Sequence, residues 1–151
     1  MNNDQLKERI LAIEPTAEVA MGTQFLTAKV APEKLHALAT ELRHSSDTNF
    51  DFLFNLTGMD YGDSLGVIYF LESTTHKHQV VLKASVSDKE NATIDTVCDI
   101  WRTAEFLERE VFDFFGIRFN NHPDLRRIFL DDDWEGFPLR KDYTDSFTLV
   151  K

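Results

Sequence analysis

Cysteine, glycine, proline and cationic charge are all scarce in this sequence, and each shortage excludes something. One cysteine, Cys98, among 151 residues rules out an intrachain disulfide and any metal cluster held by cysteines alone. It also suits a reducing cytosol. Six glycines and four prolines form no glycine-rich phosphate loop, and no Gly-x-Ser-x-Gly elbow is present. Sixteen Lys and Arg against 26 Asp and Glu give a formal net charge of −10. That balance opposes nucleic-acid binding and electrostatic adhesion to an anionic membrane. No apolar run approaches ~18 residues, so no bilayer-spanning helix is predicted. The polar first nine residues predict no signal peptide.

What is abundant is apolar surface. Hydrophobic residues make up 42% of the chain, with 13 phenylalanines, enough to offset chain entropy and drive a folded core. Leu6, Ile10 and Ile13 fall at i, i+4, i+7 and predict a first helix ending before Pro15. Leu26, Ala28 and Val30 alternate with polar residues and predict a strand. Residues 18–21 are its hairpin partner, turning at Gly22. Pro32 opens a second helix with the stripe Leu35, Leu38, Leu42. Three strands are predicted next: Leu53–Asp60, Leu65–Leu71, and Val80–Val86 with one wet face. Asn91–Phe115 reads as helical, in one or two pieces, with Cys98, Trp101, Ala104, Leu107, Val111 and Phe115 on it. The order α-β-β-α-β-β-β-α predicts an α+β fold, a two-layer sandwich of helices on a mixed sheet, over residues 1–115.

From Gly116 onward the pattern breaks. Phe119, Ile128, Phe129, Leu130, Trp134, Phe137, Leu139, Tyr143 and Phe147 follow neither a period of 2 nor 3.6, and Pro123, Gly136 and Pro138 interrupt them. Long stretches without secondary structure usually bind something. Residues 116–151 are therefore expected to form an extended C-terminal arm lying on a surface, with a partner protein favoured over the chain's own domain. Arg126 and Arg127, then Arg140 and Lys141, flank an acidic turn and would set register on that surface.

Chemical alternatives are weaker. Glu108 and Glu110, two apart on a helix, diverge; Arg109 can pair with Asp113 and Glu105, giving a salt-bridge ladder. A competing reading is a small enzyme using Glu110, Asp113 and His122. His76 and His78 point the same way on a strand but lack a third metal ligand. Asp131–Asp133 with Glu135 lacks calcium-loop spacing. Cys98 reads as a small buried thiol.

Three linked blocks carry a resemblance: Glu108-Arg109-Glu110-Val111-Phe112-Asp113-Phe114-Phe115-Gly116-Ile117, then His122-Pro123-Asp124-Leu125-Arg126-Arg127-Ile128, then Trp134-Glu135-Gly136-Phe137-Pro138-Leu139-Arg140-Lys141-Asp142-Tyr143. In order and spacing they resemble the C-type, or 30 kDa, subunit of NADH–quinone oxidoreductase, respiratory complex I. Phe106 and Phe137 stand where the family more often has tryptophan and histidine. The resemblance implies a peripheral subunit at the cytoplasmic face of the membrane, with no catalytic residues, metal or cofactor of its own, in a complex that uses FMN, iron–sulfur clusters and quinone. It implies packing on the D-type subunit, which is like the hydrogenase large subunit, and on the iron–sulfur subunits of the B and I types. The partner-binding residues would be Glu108, Arg109, Glu110, Asp113, His122, Pro123, Arg126, Arg127, Trp134, Pro138, Leu139, Arg140, Lys141, Asp142 and Tyr143. The same subunit type occurs in membrane-bound hydrogenases and ferredoxin-fed relatives, which is the alternative.

Overall fold

A computed structural model describes residues 1–143; Phe147 and the rest of 144–151 lie outside the described residues. Helix α1 (Asn3–Ile13) starts at a capping box that the hydrophobic spacing does not reveal. The Asn2 side chain accepts the Gln5 amide while the Gln5 side chain accepts the Asn2 amide, both at 2.9 Å, which satisfies two otherwise orphaned donors. Strands β1 (Glu18–Met21) and β2 (Leu26–Lys29) form the expected antiparallel hairpin. Helix α2 (Pro32–His44) buries Leu35, Leu38, Ala39 and Leu42. Then β3 (Phe52–Asp60), β4 (Leu65–Ser73) and β5 (His78–Val86) run as an antiparallel meander.

The sheet order is β1-β2-β5-β4-β3, and β2 joins β5 in parallel. The sheet is therefore mixed, as the sequence predicts. A bulge between Leu53 and Asn55 shifts the register. Leu53, Leu56, Val67, Tyr69, Leu71, Val80 and Leu82 enter one core with Leu6, Ile10, Leu35 and Leu42 of the helices. Alternate residues of the same strands face the other way.

The long helix expected over 91–115 is shorter. Thr93–Asp95 is a strand, β6, and the helix proper, α3, spans Ala104–Phe115. Residues 96–103 are turns and irregular coil, so Cys98 and Trp101 are not helical. Val97 and Trp101, spaced as on a helix, belong to a coil pressed into the core. There Trp101 Nε1 donates to the Phe50 carbonyl at 2.9 Å, and the Thr103 hydroxyl donates to the Leu53 carbonyl at 3.1 Å. What settles Thr93–Asp95 as extended is a parallel partner far along the chain, β7 (Arg118–Asn120); pairing context overrides local spacing.

Gly116 ends α3 with φ +75, and its amide bonds the Phe112 carbonyl. A side chain there would be strained by the backbone and would meet the Phe137 ring at 2.6 Å and an Arg140 nitrogen at 2.9 Å. Residues 121–143 contain turns and bends and no helix or strand. The described part of the arm lies on the chain's own α3 and on the end of β3, where the sequence favours a partner's surface.

Candidate functional site

Two buried carboxylates fasten this arm. Asp113 is 0% exposed. One of its oxygens accepts the consecutive amides of Ile128, Phe129 and Leu130 at 3.2, 2.8 and 3.2 Å. The other faces the Arg127 guanidinium at 3.1 Å. Arg127 donates further to the carbonyls of Asp113 and Gly136. A buried charge is tolerable only when its lone pairs are filled this fully.

The second carboxylate, Asp60, receives the Lys141 amide at 2.8 Å, the Gly62 amide at 2.8 Å and the Lys89 ammonium at 3.1 Å. Burial pushes its pKa up, but these donors outweigh burial and hold it below the ordinary aspartate value.

Between the two, Arg127 and Arg140 stand over the Phe137 ring, 4.9 and 5.1 Å from its centroid. Arg140 donates to the carbonyls of Phe115 and Lys89 at 2.6 and 2.8 Å. Arg109 donates to the carbonyls of Arg126 and Arg127. This replaces the salt-bridge ladder along α3, because the arm's carbonyls stand over its guanidinium while Asp113 is engaged by Arg127. While Arg127 and Arg140 turn inward, several large apolar side chains face out. Phe129 is 57% and Leu139 56% exposed, and Phe106 and Trp134 are also exposed. Phe129 stacks on Phe114 at 5.7 Å and meets Phe106 edge-on at 6.2 Å.

A third knot lies under α3. Glu108, also 0% exposed, accepts hydrogen bonds from the Thr96 hydroxyl, from the Val97 amide at 2.9 Å and from the Cys98 thiol at 3.1 Å. Burial raises the Glu108 pKa. Burial also pushes the Cys98 thiol up to about 12, with the nearby Glu108 charge adding to it. His122 Nε2 lies 4.0 Å from Glu108. Among the described residues, Cys98, Glu108 and His122 are the one group of three whose donor atoms converge as metal ligands would. Their bonding argues against that use. His122 Nδ1 accepts the Asp124 amide, so the proton sits on Nε2, which donates to the Glu105 carbonyl at 2.8 Å. The thiol is held protonated.

The predicted site residues therefore divide. Glu108, Asp113 and Tyr143 are buried, Arg127 is held by Asp113 and the Gly136 carbonyl, and Arg140 by the carbonyls of Phe115 and Lys89. Pro123, Arg126, Trp134, Leu139, Lys141 and Asp142 are exposed, Arg109, Glu110 and Pro138 are half-buried, and the His122 side chain is wholly buried. Arg126 pairs locally with Asp124. Glu110, Asp113 and His122 do not converge. Glu110 lines a groove between β3 and α3 with Gly58, Phe70, Phe114 and Leu139, and neither of the others does. His76 and His78 stack at 5.7 Å, with His76 on the Ser46 carbonyl, and no third ligand joins them among the described residues. Asp131–Asp133 form an exposed turn. Sequence reasoning missed Asp60, whose pairing with Lys141 spans 81 positions, and Thr96. It also missed Phe106 and Phe114, which join the arm's Phe129 in one aromatic cluster.

The fold defines the class first. It matches a chain of the membrane-bound sulfane sulfur reductase, an archaeal respiratory membrane complex, with TM-score 0.80 and 26% identity over 93% of this chain and 85% of that one. Residues 28–147 match the family described as the 30 kDa subunit of respiratory-chain NADH dehydrogenase, and this chain belongs to that family. Curated relatives agree. It is 49% identical over 124 residues to the C/D subunit of the NADH-quinone oxidoreductase of Phocaeicola vulgatus. That match covers 82% of this chain and 24% of the relative, so the chain spans about a quarter of that protein's length. It is 44% identical over 121 residues to the C-type subunit of the same enzyme from Geotalea uraniireducens, covering 78% of this chain and 72% of the relative.

Proposed function

We propose that the chain is a structural, cofactor-free subunit in the peripheral arm of a proton-translocating NADH–quinone oxidoreductase, at the cytoplasmic face of the membrane. It packs on the D-type subunit, the one like the hydrogenase large subunit, beside the iron–sulfur subunits of the B and I types. The observation that carries this reading is the arm. Residues 122–143 are fastened to α3 and to the end of β3 through their backbone and cationic groups, while Phe106, Phe129, Trp134 and Leu139 are left facing out. Such exposed aromatic patches mark interaction surfaces, and a preformed one loses little entropy on docking. The family supports the choice of complex, and the C/D naming of the Phocaeicola relative supports the D-type subunit as neighbour. No helix of the described residues is long and apolar enough to cross a membrane, which suits a peripheral position.

The test is a double substitution, Phe129→Asp with Leu139→Asp. Both side chains are exposed, so the fold and its melting temperature should be retained. The other subunits should no longer co-purify, and NADH-dependent quinone reduction should be lost. Normal stoichiometry in the double variant would sink the reading.

A second reading has an observation of its own, the likeness to the archaeal sulfane sulfur reductase. The chain would then sit in a ferredoxin-fed or hydrogenase-type membrane complex. Co-purification separates the two: an NADH-binding flavoprotein for the first, its absence beside a hydrogenase-like large subunit for the second.

A further inference from the structure

One edge of the sheet lacks a neighbouring strand. β3 comes last in the strand order and pairs with β4 alone. The Tyr61 amide donates to the Ser64 carbonyl at 2.9 Å and closes the β3–β4 hairpin. The next pair, Asp60 and Leu65, therefore exchanges no hydrogen bonds. Counting back in twos, neither do Gly58 with Val67 and Leu56 with Tyr69. Leu56 and Gly58 thus turn their N–H and C=O groups away from β4. On either side of them the edge is taken. Beyond the bulge, the Leu53 carbonyl accepts the Thr103 hydroxyl. Past Gly58, the arm's Lys141 amide is fastened to Asp60. Between these points no main-chain group among the described residues meets Leu56 or Gly58 from outside. The Leu56 amide has only Asn55 Oδ1, at 2.9 Å, and the Gly58 carbonyl only the Thr57 hydroxyl, at 3.5 Å. Gly58 is nonetheless buried, and buried main-chain groups are nearly always paired. A groove of about 210 Å³ runs beside this bare stretch, walled by Phe70, Glu110, Phe114 and Leu139.

We propose that this groove takes an extended segment of another subunit, which adds to β3 as a further strand. The backbone selects the occupant. Only an extended main chain brings donors and acceptors at strand spacing to the outward groups of Leu56 and Gly58; a helix spends its own on itself. The walls select its side chains. Glu110 has no cation within ion-pair distance among the described residues, so a Lys or Arg of the segment faces α3, beside apolar residues over Phe114 and Phe70. A second copy fits badly. Adding its own β3 about a two-fold axis pairs the strands antiparallel and brings both α3 helices to one face of the joined sheet. Of the sheet's strands, α3 packs chiefly on β3. The two helices would be held near the ~4.8 Å spacing of paired strands, where packed helices need about 8–10 Å. The proposal rests on the chain being a subunit of a larger complex.

The experiment measures amide hydrogen exchange, residue by residue, in the purified complex and in the isolated full chain. In parallel, a photoreactive p-benzoylphenylalanine replaces Asn55, which is exposed at the groove, and its cross-links are mapped by mass spectrometry. The Gly58 amide is expected to exchange quickly in the free chain and to lose that exchange on assembly. The Thr57 and Met59 amides, which bond β4, should be slow in both. Position 55 should link to a segment of another subunit that carries a Lys or Arg among apolar residues. A chain that assembles with Gly58 exchanging as quickly as when free overturns this proposal alone. So does a Gly58 amide already slow in the free chain. So does a link from position 55 running only to a second copy, or only to residues 144–151 of the same chain. Failure to co-purify with any other subunit overturns the assembly reading, and this proposal with it.

Discussion

The carboxylate of Asp60, the last residue of β3, accepts the backbone amide of Lys141 at 2.8 Å across 81 positions of sequence. This bond holds the end of the arm against the sheet and gives the arm a pH dependence with a definite sign. The folded-state pKa of Asp60 is below its ordinary value of 3.8. The stabilisation is therefore complete above about pH 4 and is lost as pH falls below 3.8 through the lower folded value. The Lys141 amide proton should shift in an NMR titration over that acid window. Asp60→Asn should abolish the titration. A Lys141 amide that does not respond to acid would contradict the arrangement.

Asp113 should be the most costly single position in the arm. Asp113→Ala leaves Arg127 without its carboxylate and three amides without an acceptor. Removing one partner of a buried ion pair typically costs about 3–5 kcal/mol. Urea unfolding should show a loss of that size. Trypsin, slow at Arg127 in the native chain because the guanidinium is buried, should cut there quickly in the variant. Unchanged cleavage would mean that the arm is held by other contacts.

Gly116→Ala combines a left-handed backbone with a collision against Phe137. The backbone conformation alone costs roughly 1–2 kcal/mol, and the arm must also lift. Loss of the upfield ring-current shifts around Phe137, together with a lower melting temperature, is the expected signature. Full stability would show that the helix end can be rebuilt without glycine.

Cys98 should be a poor nucleophile. With its pKa pushed up to about 12, the thiolate fraction at pH 8 is smaller than that of an ordinary thiol, pKa about 8.5, by roughly three orders of magnitude. Iodoacetamide labelling should be very slow in the folded chain and ordinary in urea. Glu108→Gln removes a nearby negative charge and should speed the folded-state reaction. A Cys98 that labels rapidly in the native chain would show that the knot opens readily.

How much of the molecule is legible in its sequence depends on range. Helices α1 and α2 and strands β1 to β5 are legible because their apolar spacing is local: Leu6 and Ile10, Leu35 and Leu38, or Leu26 and Ala28 state their period within one turn or one strand. Strand β6 is not, because three residues carry no period and their partner lies at Arg118–Asn120. The arm announces itself by its lack of period and its aromatics. Its orientation stays hidden, since only the folded chain shows Arg127 and Arg140 turned inward over Phe137 and Phe129 turned out. Resemblance supplies the family from residues 108–143. It does not separate residues that build the surface, such as Asp113, from residues that form it, such as Leu139.

The parallel seam between β2 and β5 also constrains how the chain is made. β2 ends at Lys29, and the strand it must join begins at His78, so the first hairpin has no sheet to enter until the β3–β4–β5 meander exists. Local antiparallel pairing closes cheaply, whereas this closure spans a long loop and comes late. As the polypeptide leaves the ribosome, its opening hairpin must wait, with Leu26 and Ala28 uncovered, and slow translation through residues 30–78 would lengthen that exposure.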